Sequence, residues 1–198
     1  MLRIALTGGI ATGKSYVLGK LRARGIPCVD ADELAHGVTA AGTEATAAIA
    51  ARFGAEILGD DGAVNRARLG PIVFANPSAR RELEAIVHPA IYRAIVAALR
   101  AFEMTGEYPI AVVDVPLLFE SGGDKSFDRV IATVCSPDVQ LARLRERGLS
   151  DEAAGQRLAA QLTAEEKAAR AHFVIRTGGS FAETDRQIDD VVAALRTI

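Results

Sequence analysis

The chain has 198 residues, of which 49 % are hydrophobic, and its formal net charge at pH 7 is −2. This composition suits a folded α/β domain with a second lobe, excludes wholesale disorder, and gives no reason to expect nucleic acid as a partner. No run of about 18 apolar residues is present, so no membrane span is expected. No signal peptide precedes the first predicted strand. Two cysteines that end apolar runs are expected to be buried and unpaired. The sequence therefore predicts a soluble cytoplasmic enzyme.

The first predicted element is a short strand at residues 2–6 that leads into a glycine-rich loop. Residues 8–15 read Gly-Gly-Ile-Ala-Thr-Gly-Lys-Ser and match the P-loop pattern G-x-x-x-x-G-K-[ST]. A helix is expected to follow and to end at Gly25. In this context the loop N–H groups bind phosphate, Lys14 reaches the β- and γ-phosphates, and Ser15 holds Mg²⁺. The residues expected to bind the nucleotide are Gly8, Gly9, Ala11, Thr12, Gly13, Lys14, Ser15 and Tyr16.

Four further short apolar runs are predicted strands. They lie at residues 26–29, 110–115, 130–134 and 173–175. Continuous apolar runs separated by helical pattern are typical of a parallel sheet that is buried on both faces. With the first strand they predict a doubly wound α/β fold of the P-loop type with about five parallel strands.

Two segments between these strands are expected to form separate parts of the molecule. Residues 33–106 have helical periodicity and no good strand, which predicts a helical substrate lobe. Residues 136–170 carry three helix-start signals and several arginines, which predicts a helical lid. The nucleotide-binding core is then expected to comprise residues 1–32, 107–135 and 171–198.

Three aspartates follow or end predicted strands. Asp30 and Asp32 come at the carboxyl end of the second strand, where ligands bind in open α/β sheets. A kinase needs a carboxylate there to accept the proton of the acceptor hydroxyl, and we expect Asp32 to be this base. Capping of the next helix is the alternative role for one of the two. Asp114 ends an apolar strand in the Walker-B manner and is expected to hold Mg²⁺ with Ser15.

Two arginines and one histidine are further candidates. Arg143 and Arg147 lie four residues apart on one helix face, where like charges repel unless an anion or an acid relieves them. We expect both to balance charge on the transferring phosphate, a solvated basic face being the alternative. Pro89 is expected to break a helical stretch, and from the residues alone His88 at this junction is interpreted as structural, a role toward a ligand being the alternative.

Four motifs stand in a fixed order along the chain. They are the P-loop, Val29-Asp30-Ala31-Asp32, Ile86-Val87-His88-Pro89 and Pro116-Leu117-Leu118-Phe119-Glu120. In this combination the chain closely resembles the dephospho-coenzyme A kinases from Leu2 to the last predicted helix. The resemblance implies that ATP, with Mg²⁺, phosphorylates the ribose 3′-hydroxyl of dephospho-CoA, the last step of coenzyme A synthesis. It also implies small-molecule substrates and an acceptor site with these residues: Asp32, His88, Pro116, Leu117 and Glu120. We expect a monomer, an oligomer being the alternative.

Two positions depart from the family pattern. Ala11 stands where the family usually has glycine, so a positive φ at this position would strain the loop. The family usually has an Asp-Asn-Asn-Gly turn near the adenine, whereas this chain has Arg176-Thr177-Gly178-Gly179. Because side-chain amides are absent from this turn, we expect a relaxed preference for the nucleotide base.

Two other functions are compatible with the P-loop itself. One is a P-loop kinase for another small acceptor, such as a nucleoside monophosphate or a sugar acid. The other is a nucleotide-dependent switch that hydrolyses ATP or GTP slowly, although the guanine-selecting Asn-Lys-x-Asp pattern is absent. Acceptor-dependent turnover distinguishes a kinase from a switch.

Overall fold

The computed structural model describes all 198 residues and divides into two compact units. The core unit comprises Met1–Val29 and Ala101–Ile198, and the helical unit comprises Asp30–Arg100. The predicted substrate lobe at residues 33–106 overlaps most of the helical unit. Its assignment to the acceptor stays a prediction at this point.

A five-stranded sheet forms the centre of the core unit. Its strands are β1 (Leu2–Gly8), β2 (Cys28–Asp30), β3 (Ile110–Asp114), β4 (Arg129–Val134) and β5 (Phe173–Arg176). They lie in the order β2-β3-β1-β4-β5. β1 pairs in parallel with β3 and β4, and β4 pairs in parallel with β5. The predicted parallel α/β fold is therefore confirmed, with all five strands where the apolar runs indicated them.

Five helices accompany the sheet within the core unit. They are α1 (Lys14–Ala23), α6 (Pro137–Glu146), α7 (Asp151–Ala159), α8 (Ala164–Arg170) and α9 (Phe181–Leu195). The main core joins Leu21 of α1 and Ile188 of α9 to Ile4 and Ile131 of the sheet, all four fully buried. Ala5 of β1 packs into a second cluster with Leu118 and Phe119, so β1 is buried on both faces and its central residues are continuously apolar.

The helix-start signals in residues 136–170 are used as the sequence indicated. Ser136 caps α6 and Ser150 caps α7 through their side-chain oxygens. Thr163 and Glu166 form a reciprocal capping box at the start of α8. Ala164 of α8 packs into an apolar cluster with buried residues of β4, so this last helix lies against the sheet.

The helical unit contains α2 (Ala31–Val38), α3 (Glu44–Phe53), α4 (Arg66–Ala75) and most of α5 (Pro77–Thr105). Its core includes Ile49 of α3, Val73 of α4 and Ala79 of α5. A single antiparallel bridge joins Leu58 to Val64. This unit is thus helical and has no regular strand.

The expected break at Pro89 is wrong, because α5 continues through this residue. Proline lacks an N–H group and costs about 3 kcal/mol in a helix interior. Here the long run of good helix formers and the buried Ala90, Ile95 and Leu99 on its face outweigh that cost. By length and composition alone, α5 is also the one helix that could cross a membrane. This is weak evidence for a membrane span, because the core helices of soluble proteins pass the same test.

The two cysteines form no disulfide, as expected. Cys135 is buried and Cys28 is partly buried. Burial raises the pKa of the Cys28 thiol to about 11 and also raises the pKa of Cys135. Both thiols are therefore protonated at neutral pH and behave as small apolar side chains.

Candidate active site

The P-loop joins β1 to α1, and its close contacts leave little room for side chains at its glycines. A β-carbon on Gly8 would lie 2.1 Å from Thr133 Oγ1 and 2.6 Å from Thr12 Oγ1, so only glycine fits there. The two threonine hydroxyls share a hydrogen bond of 2.8 Å. Gly13 has φ of 80° and packs against Thr177, so it combines a left-handed conformation with close approach.

The loop offers a set of N–H groups that have no protein acceptor. The N–H of Ile10 donates to Gln161 Oε1 and that of Thr12 donates to Gly9 O. Those of Gly13, Lys14 and Ser15 donate to no protein group, because they precede and open α1. Free N–H groups and the positive end of the helix dipole are features that suit this point to an anion such as phosphate.

Lys14 and Asp114 lie next to each other beside this loop. Lys14 Nζ is 2.5 Å from both carboxylate oxygens of Asp114, which ends β3 and is only 3 % exposed. The Ser15 hydroxyl is exposed and close in sequence to the free N–H groups. A cation and a carboxylate thus meet beside the free N–H groups, and the oxygens of Asp114 and Ser15 are hard ligands of the kind that suits Mg²⁺.

The two aspartates after β2 have different tasks. Asp30 Oδ1 accepts hydrogen bonds from the N–H groups of Asp32 at 2.8 Å and Glu33 at 3.2 Å, so Asp30 is the N-cap of α2. The side chain of Asp32 is exposed and takes no part in this cap. The capping alternative therefore applies to Asp30 and leaves the Asp32 carboxylate available.

The two arginines of α6 also differ. Arg143 donates to Ala11 O at 3.0 Å and to Thr177 O at 2.6 Å, so both of its terminal nitrogens bind main-chain carbonyls. Glu146, the acid three residues further along α6, forms no hydrogen bond with Arg143. The side chain of Arg147 is exposed at the end of α6. Of the two, Arg147 is the one whose guanidinium is open to solvent.

Tyr16 is held by α9. Its hydroxyl donates to Asp185 Oδ1 at 2.9 Å, and its ring lies 4.8 Å from that of Phe181, centroid to centroid. Lys20 also binds Asp185, at 2.8 Å. These contacts account for the Tyr16 side chain as a link between α1 and α9, while its main chain continues the helix that starts at the P-loop.

The segment after β3 is bound by a buried lysine that the sequence did not indicate as a functional residue. Lys167 of α8 is fully buried and donates to Pro116 O at 2.7 Å and to Glu120 Oε1 at 2.8 Å. Burial acts to raise the pKa of Glu120, but its hydrogen bonds with Lys167 and main-chain N–H groups leave that pKa below its usual value. Leu117 in the same segment is 43 % exposed.

His88 lies on an exposed position of the unbroken α5 in the helical unit. The proline that follows it does not turn it out of the helix. Its surroundings therefore give no geometric sign of a ligand, and its role in acceptor binding stays a prediction.

Several other polar residues around the P-loop were also missed. Gln140 donates to Ile10 O at 2.6 Å, and Thr177 donates to Thr12 O at 2.7 Å. Thr133 and Thr177 stand at the carboxyl ends of β4 and β5, where the parallel sheet presents its functional groups. The position of these two threonines at strand ends is the signal by which they could have been identified from the sequence.

Comparison with known proteins agrees with this geometry. The family model of dephospho-CoA kinase matches residues 2–183. The dephospho-CoA kinase of Anaeromyxobacter dehalogenans is 48 % identical over 194 residues, which is 98 % of this chain and 92 % of the relative. Among solved structures, TT1252 from Thermus thermophilus has a TM-score of 0.83 at 32 % identity, covering 98 % of this chain and 97 % of that one. The dephospho-CoA kinase from Campylobacter jejuni has a TM-score of 0.74 at 29 % identity, covering 98 % and 96 %. With the match extending from the first strand into α9, the chain belongs to the dephospho-CoA kinase family.

Proposed function

We propose that this protein transfers the γ-phosphoryl group of ATP to the ribose 3′-hydroxyl of dephospho-CoA, giving coenzyme A and ADP. This reaction is the last step of coenzyme A biosynthesis, and we place it in the cytoplasm. The observation that carries the proposal is a P-loop with free N–H groups at Gly13, Lys14 and Ser15, in a chain that the family model matches over residues 2–183.

The chain's own groups account for phosphate binding. The free N–H groups and Lys14 would bind the β- and γ-phosphates, with Lys14 exchanging its contact with Asp114 for the nucleotide. Ser15 and Asp114 would hold Mg²⁺, which when bound neutralises charge on the phosphate oxygens. Arg147 on the proposed lid would add a further positive charge.

The acceptor hydroxyl needs a base, and Asp32 is the residue that we assign to this role. Its carboxylate is exposed and free of the helix cap. It would accept the proton of the 3′-hydroxyl as that oxygen attacks the γ-phosphorus in line with the departing ADP oxygen. Little covalent chemistry by the protein is required, because positioning and charge stabilisation supply most of the catalysis.

The test of this function is ADP release with ATP and Mg²⁺ in the presence of different acceptors. We expect strong stimulation by dephospho-CoA and none by AMP or CMP, with the product confirmed as coenzyme A by its mass. Stimulation by AMP or CMP instead would indicate a kinase for another acceptor. Nucleotide binding without stimulation by any acceptor would favour the switch.

Replacing Lys14 with alanine is expected to weaken ATP binding and to lower the rate together. The substitution removes the cation nearest the phosphate-binding N–H groups and leaves Asp114 with one partner fewer. Calorimetric titration with MgATP and steady-state kinetics measure the two effects. Lys20→Ala is the matched control, since this second lysine of α1 pairs with Asp185. Unchanged affinity in Lys14→Ala would contradict the assignment of the P-loop.

We further propose that the helical unit binds the pantetheine arm of dephospho-CoA. It contains a cavity of about 330 Å³ between α2, α3 and α5, with apolar walls that include Leu34, Val38 and Ala94, and with Arg93 among its lining residues. Apolar walls suit the long pantetheine arm, and a guanidinium suits the diphosphate to which one end of this arm is joined. Hydrogen exchange in α2 and α5 should slow with dephospho-CoA but not with ATP alone. Equal exchange with and without dephospho-CoA would rule out this lobe as its site.

A further inference from the structure

Two carbonyl groups of the P-loop are held by side chains from outside the loop. Arg143 donates to Ala11 O at 3.0 Å, and Thr177 Oγ1 donates to Thr12 O at 2.7 Å. Arg143 also binds Thr177 itself. It donates to the side-chain Oγ1 of Thr177 at 3.3 Å and to its main-chain O at 2.6 Å. Thr177 is only 5 % exposed. We call this set of four hydrogen bonds the carbonyl clamp.

The clamp acts on the part of the loop that directs the free N–H groups. In a trans peptide the C=O and N–H bonds point in opposite directions. Holding the Thr12 carbonyl against Thr177 therefore turns the N–H of Gly13 to the other side, where it has no protein acceptor.

The clamp also acts on the one strained residue of the loop. Ala11 has φ of 61° and is the only non-glycine residue in the chain with a positive φ. This conformation is unfavourable for alanine, so it persists only where the surroundings hold it. The bond from Arg143 to Ala11 O is one of the contacts that do so.

We propose that Thr177, together with Arg143, is a positioning residue that holds the P-loop in its phosphate-binding conformation. The inference rests on the proposed function in one respect, since it takes this loop to bind the nucleotide phosphates. In this proposal Thr177 stabilises the conformation of the P-loop. The sequence indicated only that Thr177 belongs to a turn near the nucleotide base. It likewise has Arg143 act through the loop and not by direct contact with the transferring phosphate.

Thr177→Val tests the clamp, because valine keeps the shape of threonine and removes the hydroxyl. We expect the Kd of MgADP to rise about tenfold, as only a fraction of the molecules then keep the binding conformation. The Kd of inorganic tripolyphosphate should rise by the same factor, since the phosphate site and not the base site is affected. Thr177→Ser keeps the hydroxyl and should restore the parent affinity. Unchanged affinity for both ligands in Thr177→Val would overturn the proposal.

Thr184→Val is the matched control. This threonine of α9 is equally buried at 2 % exposure, but its hydroxyl bonds to Ser180 O within its own helix. Its substitution should leave both Kd values at those of the parent. A rise equal to that in Thr177→Val would mean that loss of any buried hydroxyl weakens binding, and the proposal would fail.

Combining Thr177→Val with Ala11→Gly separates positioning from a general structural role. Glycine adopts a positive φ without strain, so the loop should need the clamp less. We expect Thr177→Val to raise the Kd only about twofold in the Ala11→Gly background, against about tenfold in the parent. An equal factor in both backgrounds would show that the clamp does not act through the loop conformation.

Arg143→Met provides a second variant should Thr177→Val fold poorly. It removes the other half of the clamp and should weaken MgADP and tripolyphosphate alike. A loss with MgADP alone would place Arg143 at the base and overturn its role here. If these tests fail, dephospho-CoA-dependent ADP release by the parent protein still supports the proposed function. A parent protein that binds neither MgADP nor tripolyphosphate would instead contradict the proposed function.

Discussion

Replacing Asp32 with asparagine is expected to lower turnover with dephospho-CoA by about 10²–10⁴-fold, the usual contribution of a general base. Asparagine keeps the size of the side chain but cannot accept the proton of the 3′-hydroxyl. The affinity for MgATP should stay near that of the parent, because the free N–H groups that we assign to the phosphates lie in the loop and α1. Steady-state kinetics and calorimetric titration measure the two quantities separately.

Asp30→Asn is the matched control for this experiment. Asp30 is the cap of α2 and asparagine is an equally good N-cap, so this variant loses a charge two residues away while keeping the helix start. Its turnover should remain close to that of the parent. Turnover of Asp32→Asn within a few-fold of the parent would refute the assignment of Asp32 as the base. A large loss of turnover in Asp30→Asn would indicate instead that negative charge near this point matters, whichever of the two aspartates carries it.

Lys167→Met is expected to lower the free energy of unfolding by about 2–3 kcal/mol. Methionine fills a similar volume, but the variant leaves Pro116 O without its donor and Glu120 without its cation. The expected cost is below that of breaking a fully buried ion pair, because the Glu120 side chain is partly exposed. For a chain of this length the melting temperature should fall by about 4–12 °C. Urea unfolding gives the free energy directly.

The pH dependence provides an independent measurement of the same pair. The pKa of Glu120 lies below its ordinary value of 4.5 in the folded protein, so its contribution to stability is present above that pH. It is lost as the pH falls through the lower folded pKa. Glu120→Gln should therefore flatten the loss of stability below about pH 4.5. In a Glu120→Gln background, Lys167→Met should cost less than it does alone, and equal costs would show that the two residues are not coupled.

The sheet and the P-loop could be predicted because their signals are local. Each buried strand is a short apolar run, and the loop is a continuous octapeptide between a strand and a helix. Helix caps are equally local, which is why Ser136, Ser150 and Thr163 were found at the starts of their helices. The resemblance carried by the ordered motifs then identified the family.

The course of α5 and the partners of Glu120 could not be predicted in this way. Pro89 is a strong local breaker, yet apolar packing along the helix outweighs it. Nothing in the local sequence distinguishes Lys167 from an ordinary lysine of a charged helix, and only the packing of α8 against β4 buries it beside Pro116 and Glu120. In both cases contacts between residues far apart in the chain outweigh local preference.

The sequence by itself determined the parallel α/β fold, the P-loop between β1 and α1, the two candidate carboxylates after β2 and the membership of the dephospho-CoA kinase family. Only the tertiary structure decided which of Asp30 and Asp32 caps α2, that Lys14 pairs with Asp114, and that Arg143 and Thr177 converge on the carbonyls of the P-loop. The physical reason is the range of the interactions. Periodicity, caps and motifs are written in neighbouring residues, whereas a polar side chain takes its partner from whichever strand end or helix the fold brings within hydrogen-bonding distance.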